Sequence, residues 1–269
     1  GYGRLVDDTT IEVVEGTDEG VRITGKKALV ATGSSPQAAP IDGLADIDYE
    51  TSETILERRE LPESIVIIGG GYIALEWGQI LHRVGVDTTI LQRSDRVLSR
   101  MEGQLGREIQ QCFRNEGIEV ITGTDFDHVR SVHADDDGTT RRTKVIVETT
   151  VDGDARQFAA EELFVATGVK PNTGNIGLDT VGIETNDRGA VIVDEHFQTA
   201  NPDVYAAGDV IGEPELETVA AKEGNHAVKN AFGNDGKTID YNAVPAVVFT
   251  SPEVASVGTT ELEYMDKYG

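Results

Sequence analysis

Between Ser64 and Leu91 the sequence reads Ser64-Ile65-Val66-Ile67-Ile68, then Gly69-Gly70-Gly71, then a stretch from Tyr72 to Val84, then Asp87–Leu91. The apolar run has no polar alternation, so it predicts a strand buried on both faces, as in a parallel sheet. The glycines end it, Tyr72–Val84 predicts a helix, and Asp87–Leu91 a second strand. Strand, turn, helix, strand is the order of a parallel βαβ unit. The rest of the chain alternates in the same way, so an α/β protein with a largely parallel sheet is expected. Strands are predicted at Ile11–Val14, Val21–Thr24, Ala28–Ala31, Ile118–Ile121, Glu162–Ala166, Ala190–Val193 and Val204–Ala206. His128–Val132 and Lys144–Val151 read as antiparallel strands around an Asp/Gly-rich turn. Acidic runs at Asp135–Asp137 and Asp152–Asp154 read as turns. Helices are predicted at Thr51–Leu56, Gly103–Glu116 with Gly117 as its stop, and Glu215–Phe232. Ser34–Gly43, with Pro36 and Pro40, reads as a linker, and Val244–Thr250 opens a new segment.

Gly69, Gly71 and Ala74 fit the G-x-G-x-x-G/A pattern of a Rossmann dinucleotide-binding turn. Gly69 serves the tight turn, Gly71 lets a pyrophosphate approach the backbone, and Ala74 lets helix and strand pack closely. The pyrophosphate is expected at the positive N-terminus of the Tyr72–Val84 helix. A glycine pattern alone says little, but this one follows an apolar strand and opens a helix. The end of the second strand bears on NAD against NADP. An acid there would hold the ribose 2′-hydroxyl, whereas arginine accepts a 2′-phosphate. Gln92 stands at that place, 23 residues after Gly69, followed by Arg93, with Arg96 and Arg100 nearby. Three arginines so close in an acidic chain point to phosphate contacts and hence to NADPH; the alternative is a solvated surface cluster.

The 269 residues carry 48 acids against 23 bases, a net charge of −25. Such a field argues against nucleic acid and anionic membranes as partners. The acids are spread along the chain, and lysine is scarce beside arginine, 8 against 15. This resembles proteins of salt-loving organisms, whose self-repulsion concentrated salt screens. No apolar run approaches the ~20 residues of a membrane helix. The sequence opens at Gly1 with neither an initiator methionine nor a leader-like segment, which reads as a cut-down cytoplasmic chain. Cys112 is the sole cysteine, so no intramolecular disulfide is possible, and its helical neighbours Ile109 and Phe113 suggest a core residue. His128 and His133 lie close together but have no cysteine pair beside them, so no metal site is expected.

Two strand ends of one type, Val30-Ala31-Thr32-Gly33 and Val165-Ala166-Thr167-Gly168, flank this unit. Beyond them, Thr199-Ala200-Asn201-Pro202-Asp203-Val204-Tyr205-Ala206-Ala207-Gly208-Asp209-Val210 resembles the second FAD motif of the class I pyridine nucleotide-disulfide oxidoreductase family. The resemblance covers essentially the whole chain. It implies a Rossmann-like NAD(P)-binding domain inserted in a partial FAD-binding domain, followed by the start of an α+β dimerisation domain. The segments would be 1–45 (FAD), 46–168 (NAD(P)), 169–240 (FAD again) and 241–269 (dimerisation). It also implies roles. Asp209 would accept a hydrogen bond from a ribitol hydroxyl of FAD, with Gly208, Thr32 and Gly33 alongside. The helix after Asp209 would aim its N-terminus at the flavin pyrimidine edge. Gly168 would lie near the nicotinamide half of NADPH, and Tyr72 would cover its pocket. Glu76 would pair with a flavin-side lysine.

Gln92–Leu98 and Val244–Glu253 look most like the branch of the family that reduces Hg(II) to Hg(0) with NADPH. Another disulfide reductase, such as dihydrolipoyl dehydrogenase, and a dinucleotide-binding module without turnover remain alternatives. The family's chemistry needs a redox cysteine pair beside the flavin, and this sequence has none. The resemblance therefore implies a longer parent enzyme, acting as a homodimer on Hg(II). It implies no catalytic residue within this chain, and weak retention of FAD by it.

Overall fold

The computed structural model describes residues 1–136, 140–233 and 236–269, and the chain divides into two compact units. One comprises Pro36–Gly168 with Pro245–Gly269, the other Gly1–Ser35 with Val169–Val244.

The first unit is built on a four-stranded sheet. Its strands are β1 (Ser64–Ile68), β2 (Asp87–Leu91), β3 (Glu119–Ile121) and β4 (Glu162–Val165); helix α1 (Tyr72–Arg83) joins β1 to β2 and helix α2 (Gly103–Glu116) joins β2 to β3. All strands run parallel, in the order β4-β1-β2-β3. This Rossmann-like order reverses between β1 and β4, and ligands of such sheets bind outside the strand ends at that reversal. The apolar run of β1 is buried on both faces, as expected. Ile65 and Ile67 join Leu75 of α1 and Ile109 and Phe113 of α2 in one core. Val66 and Ile68 join Val129, Val147 and Phe158 in another. Each of these four β1 side chains contributes roughly 2 kcal/mol on burial. Cys112 is packed against the α1–α2 core.

The second face is covered by an antiparallel sheet of Thr124–Asp136, Thr140–Val151 and Asp154–Ala160. Here the expectation is corrected. Asp135 and Asp136 lie in a strand, because the pairing runs further than the apolar residues alone indicated. Asp137–Thr139 and the His133 side chain lie outside the described residues. Asp152 and Gly153 do form the two-residue turn, both at positive φ. The strand after them was not anticipated.

Two further expectations fail in this unit. The linker Ser34–Gly43 is part of the fold, since Ala38, Ile41 and Leu44 pack into the second core; the boundary expected after residue 45 therefore falls after Ser35. Thr51–Leu56 is not a helix. Thr54 Oγ1 accepts from Thr51 N and donates to Glu50, leaving one short 3-10 turn at Ile55–Glu57. Residues 245–269 cluster with this unit, where Val248 and Val254 join the first core and Glu261–Tyr268 is helical.

The other unit holds a parallel pair, Ala28–Val30 against β5 (Val204–Ala206), and helix α3 (Glu217–Gly233). Tyr2–Asp7, Thr10–Glu15 and Arg22–Thr24 make an antiparallel sheet, whose first strand the sequence did not announce. Ala190–Val193 is not a strand. Asn186 Oδ1 takes the Ala190 N–H and Val191 donates to Val210, so only an isolated antiparallel bridge between Thr185 and Val191 forms. The parallel β structure is thus divided between two units.

Candidate functional sites

The first site is the β1–α1 junction. Gly69 N donates to Leu91 O at 2.9 Å, closing the turn onto β2. Its φ is 132°, and a Cβ there would lie 2.3 Å from the carbonyl oxygen of Ala166, beyond the end of β4. Only glycine fits. A Cβ on Gly71, by contrast, would meet nothing within 4 Å. The α1 N-terminus has no side-chain cap and no acid in its first turn, and His82 and Arg83 complement its other end. The arrangement can therefore receive an anion on backbone N–H groups. Ala74 is fully buried in the core beneath the turn.

At the end of β2, Gln92 packs beneath the loop. A Cβ on Gly70 would sit 2.8 Å from the Gln92 side chain, whose Oε1 accepts from Arg93 N at 3.1 Å. The three arginines differ. Arg96 is committed, donating to Ser99 O at 3.0 Å and pairing with Asp95 at 3.4 Å. Arg100 is also engaged. The exposed Arg93 side chain has no hydrogen bond or ion pair among the described residues. Tyr72 is half-exposed at the start of α1 and, like Arg100, is engaged by a neighbour. Glu76, one turn on, accepts the Phe249 N–H at 2.8 Å, a partner the sequence did not suggest. Gly168 O accepts from Gln37 N at 2.9 Å, and Thr167 Oγ1 bonds Gln37 O and Ala39 N.

The second site lies within the other unit, at the end of β5. A cavity of about 470 Å³ is lined by small residues, among them Ala31, Gly33, Ala207, Gly208, Ala220 and Gly224. Asp209, Glu215 and Glu217 supply its polar side chains. Thr32 lies beside it, where its Oγ1 donates to Asn172 O at 2.7 Å and Asn172 Nδ2 returns a bond to Thr32 O at 3.0 Å. Asp209 Oδ2 accepts from Ser34 Oγ at 2.7 Å. Gly208 has φ 79°, and its N–H donates to Glu223 Oε2 at 2.8 Å. Tyr241 donates to the other oxygen of that carboxylate at 2.7 Å. Burial and this carboxylate push the Tyr241 phenol well above the usual tyrosine range.

Sequence reasoning missed Ser34, Glu223 and Tyr241. A signal existed for one of them: Val219, Glu223 and Ala227 fall on one buried stripe of α3, and a lone acid on such a stripe needs an explanation.

A model of the pyridine nucleotide-disulphide oxidoreductase family matches residues 2–224. A mercuric reductase of Lysinibacillus sphaericus is 38% identical over 267 residues, covering 99% of this chain and 46% of the relative. One of Streptomyces lividans is 41% identical over 263 residues, covering 98% of this chain and 53% of the relative. A dihydrolipoyl dehydrogenase of Bacillus subtilis is 34% identical over 274 residues, covering 98% and 56%. Among solved structures, a Cu(II) complex of the HOCl-induced flavoprotein disulfide reductase RclA from Escherichia coli superposes with a TM-score of 0.86 at 25% identity, covering 100% of this chain and 58% of that one. The chain spans about half the length of the curated relatives it matches.

Proposed function

The chain belongs to the pyridine nucleotide-disulphide oxidoreductase family, and we propose that it forms part of an FAD-dependent enzyme that oxidises NADPH to reduce Hg(II) to Hg(0). The carrying observation is the β1–α1 junction, where an open Gly71, an uncapped helix N-terminus and an unpaired Arg93 stand together.

These residues fit a dinucleotide. Gly69 shapes the turn, Gly71 and the first N–H groups of α1, from Tyr72 on, would receive its pyrophosphate, and Ala74 lets α1 pack onto β1. Gln92 and Arg93 replace the acid that an NAD site would carry, and Arg93 would pair with a 2′-phosphate. Gly168, Tyr72 and Glu76 would border the nicotinamide half. The second cavity fits a flavin: small residues admit a flat, extended group, and the Asp209 carboxylate suits a hydroxyl-bearing chain. Thr32, Gly33, Gly208 and Asp209 would hold it. FAD, when bound, supplies the electron-transfer chemistry, and the protein's share is placement and electrostatics.

Soft thiolates suit mercury, and the proposed reaction needs a pair of them. Cys112, single and packed in the α1–α2 core, cannot serve. The whole enzyme would act as a cytoplasmic homodimer, with residues from 241 onward contributing to its interface. Its charge of −25 supports adaptation to concentrated salt; stability should then fall as salt is removed, and constant stability would sink that part.

A disulfide reductase of the dihydrolipoyl dehydrogenase type is the second reading, favoured by the Bacillus subtilis relative. The deciding experiment assays the full-length protein in high salt with NADPH and Hg(II), beside lipoamide and glutathione disulfide. Hg(II)-dependent NADPH oxidation is expected, and oxidation indifferent to Hg(II) would refute the first reading.

A further inference from the structure

Glu223 is 2% exposed, yet it carries a carboxylate with no cationic partner among the described residues. A polar side chain buried this deeply must be hydrogen-bonded, and its partners say what it holds in place. Its two partners are the Gly208 N–H and the Tyr241 hydroxyl. Both neighbours of Glu223 on that side of α3, Ala220 and Gly224, line the cavity beside Asp209. A Cβ on Gly208 would lie 3.3 Å from the Ala220 Cβ, so the turn is pressed directly onto α3. Glu223 therefore holds the turn from the protein side.

This contact also decides what the turn can offer. A positive-φ glycine leading into a helical turn, with its N–H groups free, makes a nest for anions. Here Ala207 N donates to Val30 O at 3.1 Å and Gly208 N to Glu223, so these two N–H groups of the turn are taken by protein acceptors. The polar side chains lining the cavity are carboxylates. We propose that Glu223, backed by Tyr241, is the specificity-determining positioning residue of this cavity. By taking the Gly208 N–H it fixes the turn that presents Asp209, and it makes this part of the wall a hydrogen-bond acceptor that favours a hydroxyl-bearing chain over phosphate. The inference deepens, and rests on, the reading of this cavity as a flavin site.

The test follows the Gly208 amide by NMR and hydrogen exchange in the unaltered chain and in Glu223→Ala, Glu223→Gln and Tyr241→Phe, with FAD and inorganic phosphate as separate probes. Glutamine can still accept from Gly208 N and donate to the Tyr241 oxygen, so it should rescue what alanine loses. Glu223→Ala should speed exchange at Gly208 by about a hundredfold, weaken FAD binding by about tenfold, and allow phosphate to shift the Gly208 resonance. Glu223→Gln should keep slow exchange and FAD affinity within about twofold of the unaltered chain. Tyr241→Phe, which retains the carboxylate and guards against a misfolded alanine variant, should move each readout in the alanine direction by a smaller factor. Unchanged exchange in Glu223→Ala and Tyr241→Phe, or a phosphate-induced shift in the unaltered chain, would overturn the proposal. FAD affinity is read in the full-length protein; if that protein takes up no FAD, the flavin reading falls, and the exchange and phosphate arms alone decide the role of Glu223.

Discussion

Two junctions in this molecule share a plan and differ in sign. In each, a buried parallel strand ends in glycine and the chain turns into a helical segment: Ile68-Gly69-Gly70-Gly71-Tyr72 in one unit, Ala206-Ala207-Gly208-Asp209 in the other. At the first, the helix N-terminus has neither a side-chain cap nor a nearby acid, and an unpaired arginine stands at the end of the adjacent strand. That junction can receive an anion on backbone N–H groups. At the second, the glycine N–H is satisfied from behind by Glu223, and carboxylates face the cavity. That junction offers mainly side-chain acceptors. Strand, glycine and turn do not by themselves state what a site binds; the destination of the turn's N–H groups does.

The contrast can be broken most forcefully at Gly69. Gly69→Ala puts a Cβ against the Ala166 carbonyl at a φ that alanine avoids. A loss of about 3 kcal/mol in unfolding free energy is expected, together with loss of NADPH binding. A denaturation midpoint equal to that of the unaltered chain would show that the turn is not fixed by this contact. Next comes Arg93→Glu, which replaces the unpaired cation with a like charge facing a 2′-phosphate. NADPH affinity should fall by about a hundredfold, with NADH affinity nearly constant. Equal losses for both nucleotides in parallel titrations would remove Arg93 from cofactor selection. The smallest effect sharpens the comparison most. Gly71→Ala has open space for its Cβ and an ordinary negative φ of −82°, so thermal stability should hold. Dinucleotide affinity should still drop by about tenfold, because the methyl group occupies the anion's approach. A variant equal in both respects would place the phosphate elsewhere.

Much of the first junction was legible in the sequence. Gly69, Gly71 and Ala74 fall where the motif placed them, and α2 runs from Gly103 to Glu116 as its local signals indicated. These features depend on residues within one or two turns of each other. The second junction was half legible. The run ending in Gly208-Asp209 marked it, but Ser34 and Tyr241 lie far along the chain and carry no local signature. Ala190–Val193 failed for the same reason: its composition suits a strand, but its N–H groups are divided between the 184–186 segment and Val210.

What the sequence alone determined is local: the β1–turn–α1 unit, the backbone shape that only glycine allows at position 69, the acidic balance, and the arginine beside Gln92. Steric limits and side-chain periodicity act over a few residues, so they can be read directly. Tertiary structure alone decided the strand order β4-β1-β2-β3, which puts the glycine turn at the sheet's reversal. It also decided the pairing of Gly208 with Glu223, which gives the second cavity its polarity. A buried polar group must find a partner, but which one it finds depends on segments brought together only by the packing of the whole unit.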